Sequence, residues 1–168
     1  VNAEIIGADI DKDILFNSER IKTFEVDQTN KEMIMDMWNK INLDNFDLII
    51  DDGLHNLEGG VVLFKNSFEK LRKDGIYIIE DLQTSYISNW GGDGVNLNNK
   101  KTTMNFIRSL ADRMHYQDID NPFYKKTLFD GQIGFVHIYR NISIIKKKKY
   151  LWEQCVLQKF MVLRIKKK

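Results

Sequence analysis

Residues Phe46–Tyr86 (FDLIIDDGLHNLEGGVVLFKNSFEKLRKDGIYIIEDLQTSY) constrain the fold of this chain more than any other stretch. Phe46–Ile50 is an apolar run of strand length, broken only by Asp47, and Gly75–Ile79 is a second. Between them Leu57, Val61, Phe64, Phe68 and Leu71 recur at steps of three and four, the spacing of one helix face. Lys73-Asp74-Gly75 puts a glycine where a left-handed cap would close that helix. The pattern predicts a βαβ unit, with two parallel strands joined by a right-handed crossover.

The way those strands finish gives the unit its chemical interest. The first runs into Asp51, Asp52, Gly53, Leu54 and His55, and the second into Glu80 and Asp81. Ligands of open parallel sheets sit in the crevice beyond the carboxyl ends of the strands, so these acids and the imidazole are expected on one rim. The upstream chain repeats the theme. Ala3–Ala8 reads as a buried strand ending at Asp9, with Asp11 close behind, and Lys22–Val26 as a strand ending at Asp27 and Gln28. Ile14–Arg20 reads as a short helix or turn. Met33, Ile34, Met37, Trp38 and Ile41 mark a helix, with Thr29 or Asn30 as its N-cap. One acid after a strand is ordinary, because Asp favours turns. Four strand ends in succession are harder to explain that way. Carboxylates gathered on a rim repel unless a cation or hydroxyl donors sit among them.

Residue types narrow the chemistry. An acid in the position of Asp9 suits the hydroxyls of a ribose. The glycine-rich turn that would accompany it is not found downstream, and it is expected before Val1, in a first βα unit that this sequence lacks. Gly91-Gly92-Asp93-Gly94 comes too late in the chain for that role and reads as a flexible lid. Asp52, Glu80 and Asp81 are hard oxygen donors of the kind that hold magnesium or manganese. His55, three residues after Asp52, suits a general base because imidazole titrates near neutrality. Capping of the following helix is the alternative for His55, and spacing alone leaves the two open. His115 at a helix end and His137 within a strand have no ligand spacing to another His or to Cys155, so zinc is not expected.

After Tyr86 the periodicity dissolves. Ile87–Lys101 holds three glycines and four asparagines and reads as a lid or binding loop. Met104, Ile107, Leu110, Ala111 and Met114 restore a helix, and Asn121-Pro122 breaks the chain again. Gly134–Arg140 and Ile142–Ile145 predict a hairpin turning near Asn141, which adds antiparallel pairing to a mainly parallel sheet. Residues 1–145 are expected to form the domain and 146–168 a tail. In that tail Lys146–Lys149 and Lys166–Lys168 bracket the apolar Tyr150–Ile165. A terminal helix packed on the domain is the expectation there; a basic helix lying on a membrane surface is the alternative.

A chain of 168 residues suits one domain, and its 43% hydrophobic and 29% charged content is that of a soluble globular protein. A formal net charge of +1 argues against a nucleic-acid partner. The single cysteine excludes an intrachain disulfide. No apolar run reaches bilayer length and no secretory signal is seen, so a reducing cytoplasm is the expected location. Assembly is left open, a homo-oligomer included.

Phe46–His55 (FDLIIDDGLH) and Gly75–Tyr86 (GIYIIEDLQTSY) resemble the magnesium-dependent sugar O-methyltransferases of the macrocin and mycinamicin type, within the class I S-adenosylmethionine-dependent methyltransferases. The resemblance covers roughly residues 3 to 145 and implies a doubly wound, mainly parallel, Rossmann-like α/β sheet with a C-terminal hairpin. It implies Asp52, Glu80 and Asp81 as ligands of Mg2+ or Mn2+, and His55 as the base that deprotonates a sugar hydroxyl. Asp9 would hold the ribose of S-adenosylmethionine, with Asp27 and Gln28 near the adenine and Asp51 in the cofactor-binding set. Tyr86 and the Trp90-Gly91-Gly92 loop would border a small-molecule or glycan acceptor. Leu54 departs from the family, which has a small polar residue there. A metal-independent methyltransferase and a non-catalytic nucleotide-binding module remain as alternatives. A receiver-like phosphoacceptor domain is disfavoured, because its lysine would have to follow the last parallel strand and Lys146 follows a hairpin.

Overall fold

The structure, a computed structural model, describes residues 3–149. Two short parallel strands, β1 (Ile5–Asp9) and β2 (Ile21–Glu25), open it. Helix α1 (Lys31–Ile41) follows, capped by Asn30, whose Oδ1 accepts the Met33 N–H. Strand β3 (Phe46–Asp51), helix α2 (Leu57–Ser67) and strand β4 (Leu71–Ile79) form the expected βαβ unit, with β3 and β4 parallel. Helix α3 (Thr103–Met114) and the hairpin β5 (Ile133–Tyr139) and β6 (Ile142–Lys147) complete it. The main sheet has the order β3-β4-β6-β5, and β6 runs antiparallel to both neighbours. The described strands therefore make a parallel β1-β2 pair and a four-stranded mixed sheet in an α/β fold. Asn141 turns the hairpin at φ 66°.

Several local boundaries differ from the sequence reading, each for a visible reason. Helix α2 stops at Ser67 and a single 3-10 turn, Phe68–Lys70, leads into β4. Leu71 continues the apolar spacing of the helix, but it belongs to the strand and pairs with Phe46. The left-handed residue is Asp74 (φ 67°), inside β4, not Gly75. Gly75 is needed for proximity instead: a Cβ there would lie 2.8 Å from the Arg72 carbonyl and 3.0 Å from that of Phe46. Between Lys12 and Arg20 only a 3-10 turn at Lys12–Ile14 forms. The chain then bends so that the Thr23 hydroxyl bonds the Phe16 backbone. Strand β1 is not buried; Ile5 is 50% exposed. Strand β6 runs past residue 145 to Lys147, so the start of the lysine run is part of the sheet. The Lys147 Nζ donates to the carbonyls of Glu69 (3.0 Å) and Leu71 (2.8 Å), supplying donors to the 3-10 turn and the first residue of β4. Burial holds its pKa below the usual lysine value. The predicted helix over Tyr150–Ile165 and Cys155 lie outside the described residues.

Helix α2 packs between α1 and α3, so all three helices share one face of the sheet. Phe64 anchors the larger core. Its ring meets those of Phe68, Tyr77, Phe106 and Phe129 at 4.8, 4.9, 5.3 and 5.1 Å. A second cluster under α1 joins Ile34, Met37 and Trp38 to Phe46 and Ile49. It is tied across by the Trp38 indole N–H donating to the buried Ser67 hydroxyl at 3.0 Å. The opposite face aligns Leu48 with Ile76, and Ile50 with Ile78 and Ile144, across the strands. Leu48 and Ile50 are 46% and 49% exposed there. Among the described residues no helix is long and apolar enough to cross a membrane.

Phe64→Ala removes the ring that four others pack against and is expected to cost about 3–5 kcal/mol of stability, as large core truncations do. Chemical denaturation of the two proteins checks it.

Candidate active site

Parallel pairing puts the ends of β3 and β4 side by side: Asp51 is opposite Ile79, and the Glu80 N–H donates to the Asp51 carbonyl at 3.0 Å. Each strand then breaks sharply. After β3 the turn passes through His55 at φ 51°, and Asn56 caps α2 by accepting the Gly59 N–H. The capping role open to His55 on spacing is thus filled by its neighbour. After β4 the turn passes through Asp81 at φ 52° and enters a 3-10 turn, Leu82–Tyr86. A left-handed non-glycine residue costs about 1–3 kcal/mol, and such strain concentrates at functional sites. Here both side chains so carried face one point. The His55 Nε2 lies 3.6 Å from Asp81 Oδ2 and 3.9 Å from Asp52 Oδ1.

Asp52, His55 and Asp81 each offer a ligand atom within 4.8 Å of the others. Asp52 and Asp81 are open to solvent, while the His55 side chain is 18% exposed. Glu80 is outside this tight group but lines the same cavity, together with Asp51, His55, Asp81 and Thr84. The donor chemistry fits a hard divalent cation: two exposed carboxylates converge, a third stands on the same cavity, and none has a lysine or arginine partner among the described ion pairs.

Asp51, next in sequence to Asp52, has the opposite environment. It is 5% exposed, its Oδ1 accepts from the Gln28 amide at 2.6 Å, and its Oδ2 is without a partner. Burial pushes its carboxyl above the usual range against the pull of the Gln28 and Gly53 hydrogen bonds. Gln28 uses both ends of its amide: Nε2 holds Asp51 and Oε1 accepts the Leu54 N–H at 2.7 Å. It thereby fastens the turn after β3 to the end of β2. Gly53 permits this, because a Cβ there would lie 2.2 Å from the Gln28 Oε1. Asp9 and Asp27 stand apart from the triad. Asp9 Oδ1 accepts the Asp11 N–H. Asp27 Oδ1 accepts from the Thr29 hydroxyl and N–H, which hold its carboxyl below the usual range.

The glycine-rich stretch borders the triad. The Trp90 ring stands edge-on to His55 at 6.4 Å, and Trp90 is 52% exposed. Expected as a flexible lid, the segment is cross-braced. The Gly92 and Asp93 N–H groups donate to Ile87 and Ser85, and the Asp93 carboxylate gathers Val95, Asn96 and Asn99. A Cβ on Gly92 would lie 2.1 Å from the Thr84 carbonyl. Tyr86 is 40% exposed, with its hydroxyl 3.5 Å from an Arg108 nitrogen. Two further residues support the site, Thr84, which sequence marks only as a position within the Gly75–Tyr86 motif, and Ser85. Thr84 donates within this site, and Ser85 accepts the Met104 N–H at the start of α3. The Thr-Ser pair after the acids was their only sequence signal.

No family model matches the chain. The 8-demethyl-8-(2-methoxy-alpha-L-rhamnosyl)-tetracenomycin-C 3'-O-methyltransferase of Streptomyces olivaceus is 33% identical over 103 residues, 61% of this chain and 26% of that protein. The demethylmacrocin O-methyltransferase of Streptomyces fradiae is 29% identical over 144 residues, 85% of this chain and 36% of that protein. MycE, a methyltransferase of the mycinamycin biosynthetic pathway solved with Mg and SAH, superposes with a TM-score of 0.77 at 29% identity, covering 86% of this chain and 37% of that one. A further MycE structure, holding Mg, SAH and mycinamycin VI, gives a TM-score of 0.76. The chain thus spans well under half the length of these relatives, and over that span it has their fold.

Asp51→Asn is expected to stabilise the protein at neutral pH. The folded carboxyl titrates above its unfolded value, so ionisation costs stability as pH rises through the folded pKa; the amide removes that cost. The gain should shrink as pH falls towards about 4, where the unfolded carboxyl is also protonated. Thermal melts across that range check it.

Proposed function

We propose that this chain carries the acceptor-activating part of an S-adenosylmethionine-dependent O-methyltransferase, acting with magnesium or manganese on a sugar hydroxyl of a small glycosylated molecule. The convergence of Asp52, His55 and Asp81 at two adjacent parallel strand ends carries the reading. The similarity to sugar O-methyltransferases, and the Mg and SAH bound to MycE, support it.

Asp52 and Asp81, with Glu80 beside them, would hold the cation, and a bound cation makes a coordinated hydroxyl more acidic. His55 takes the acceptor proton at Nε2, the nitrogen that faces both carboxylates. Trp90 shields one edge of the ring from water. S-adenosylmethionine, when bound, would supply an electrophilic sulfonium methyl for the acceptor oxygen and would leave as S-adenosylhomocysteine. Little else is required of the protein than to hold two reactants in line. Asp51 stays out of the transfer and, with Gln28, sets the turn that presents Asp52 and His55. Asp9 and Asp27 are assigned to the ribose and adenine side of the cofactor. The compartment proposed is the cytoplasm.

In the full-length protein His55→Ala should lower the rate of methyl transfer by about 100- to 10,000-fold, the usual worth of a general base, and leave S-adenosylmethionine binding intact. Asp52→Ala should abolish both magnesium binding and turnover. Calorimetry and a labelled-methyl assay read the two effects. Normal turnover by Asp52→Ala, or by wild type in a chelator, would point to metal-independent transfer.

A further inference from the structure

The two side chains that face each other across the site, His55 and Asp81, both ride on left-handed backbone, at φ 51° and 52°. A change of one torsion in either turn would swing its side chain off the site, so something must hold the pair. Thr84 is placed to do so. It lies in the 3-10 turn after β4, is 6% exposed, and its hydroxyl oxygen is 2.6 Å from the His55 carbonyl and 2.8 Å from that of Asp81.

A hydroxyl has one proton and two candidate acceptors here. The Asp81 carbonyl already accepts the Thr84 N–H at 3.1 Å, within the turn. The His55 carbonyl is the nearer of the two to the hydroxyl, and the proton serves it best. That hydrogen bond joins residues 29 apart in sequence and fastens the turn after β3 to the turn after β4. Both acceptors near that hydroxyl are main-chain carbonyls, not the imidazole or a carboxylate.

We propose that Thr84 is a positioning residue, whose hydroxyl fixes the separation of His55 from Asp81 and so sets both the affinity of the cation site and the rate of proton removal. The proposal rests on the metal-assisted reading above. The competing role is purely local: Ser and Thr hydroxyls often bond a carbonyl three residues back simply to finish a turn. In that case loss of the hydroxyl lowers stability and nothing else.

Thr84→Val keeps shape and removes the donor, Thr84→Ser keeps the donor, and Thr84→Ala gives the same readout as valine should the latter prevent folding. All are made in the full-length protein, with circular-dichroism melts alongside. Manganese affinity, followed by electron paramagnetic resonance, should fall about 10- to 100-fold in Thr84→Val, as it does when outer supports of metal ligands are removed. The maximal rate should fall with it while KM for S-adenosylmethionine holds, and Thr84→Ser should recover both. Wild-type manganese binding matched by Thr84→Val, with only the melting temperature lowered, overturns the positioning role and leaves the metal site standing. A wild-type protein that binds no manganese overturns the metal-assisted reading and the role of Thr84 together.

Discussion

The pairing of β3 with β4 decides where the chemistry of this chain can occur. Five registered residue pairs, from Phe46 with Leu71 to Asp51 with Ile79, run the two strands in one direction and end them at one level. An antiparallel pair of the same composition would have sent His55 and Asp81 to opposite edges. The helix between the strands is long enough for the crossover, and its buried face, with Phe64 at the centre, fixes the strands by packing three helices on one side. Core and site are in this sense one construction: the aromatic cluster sets the strand positions, and the strand positions set the separation of the acids.

Alternation along β3 then sorts two neighbouring acids into two roles. Asp51 points inward, is desolvated, and engages Gln28; Asp52 is outside the strand and in solvent. A run of two aspartates thus yields one group that organises a turn and one that is free to meet a ligand. Gln28 holds Asp51 with one end of its amide and with the other fastens Leu54, which lies between the two aspartates and His55. The backbone strain of the site is supported in the same manner, by contacts that arrive from the turns after other strands.

What could be read beforehand was whatever depends on period and on strand ends. The βαβ unit, α1 with its cap at Thr29 or Asn30, α3, the hairpin at Asn141 and the gathering of acids and His55 at two adjacent strand ends all follow from apolar spacing and from where it stops. The misreadings share a cause. Leu71 keeps helix spacing only because the first residue of β4 reaches the same core, and Gly75 mimics a cap because it sits where two backbones approach closely. Polar side chains that bond across long sequence separations, such as Gln28 with Asp51 or Thr84 with His55, leave no periodic trace. The glycines after Trp90 suggested mobility, yet Gly92 is demanded by a close approach to the Thr84 carbonyl, and the asparagines around it join a hydrogen-bonded knot.

The contact of Lys147 with the 3-10 turn after α2 bears on how the chain folds. The carbonyls it serves lie 76 to 79 residues earlier, at Phe68 and Glu69 of the 3-10 turn and at Leu71, the first residue of β4. Backbone carbonyls left without donors are costly when buried. The βαβ unit is therefore incomplete as an independent folding unit, although its sequence is nearly self-contained. It gains the Lys147 donors only when β6 docks against β4, so consolidation of this motif waits for a strand made much later in the chain. A chain wired in this way should gain its native structure in one cooperative step whose rate is set by long-range closure.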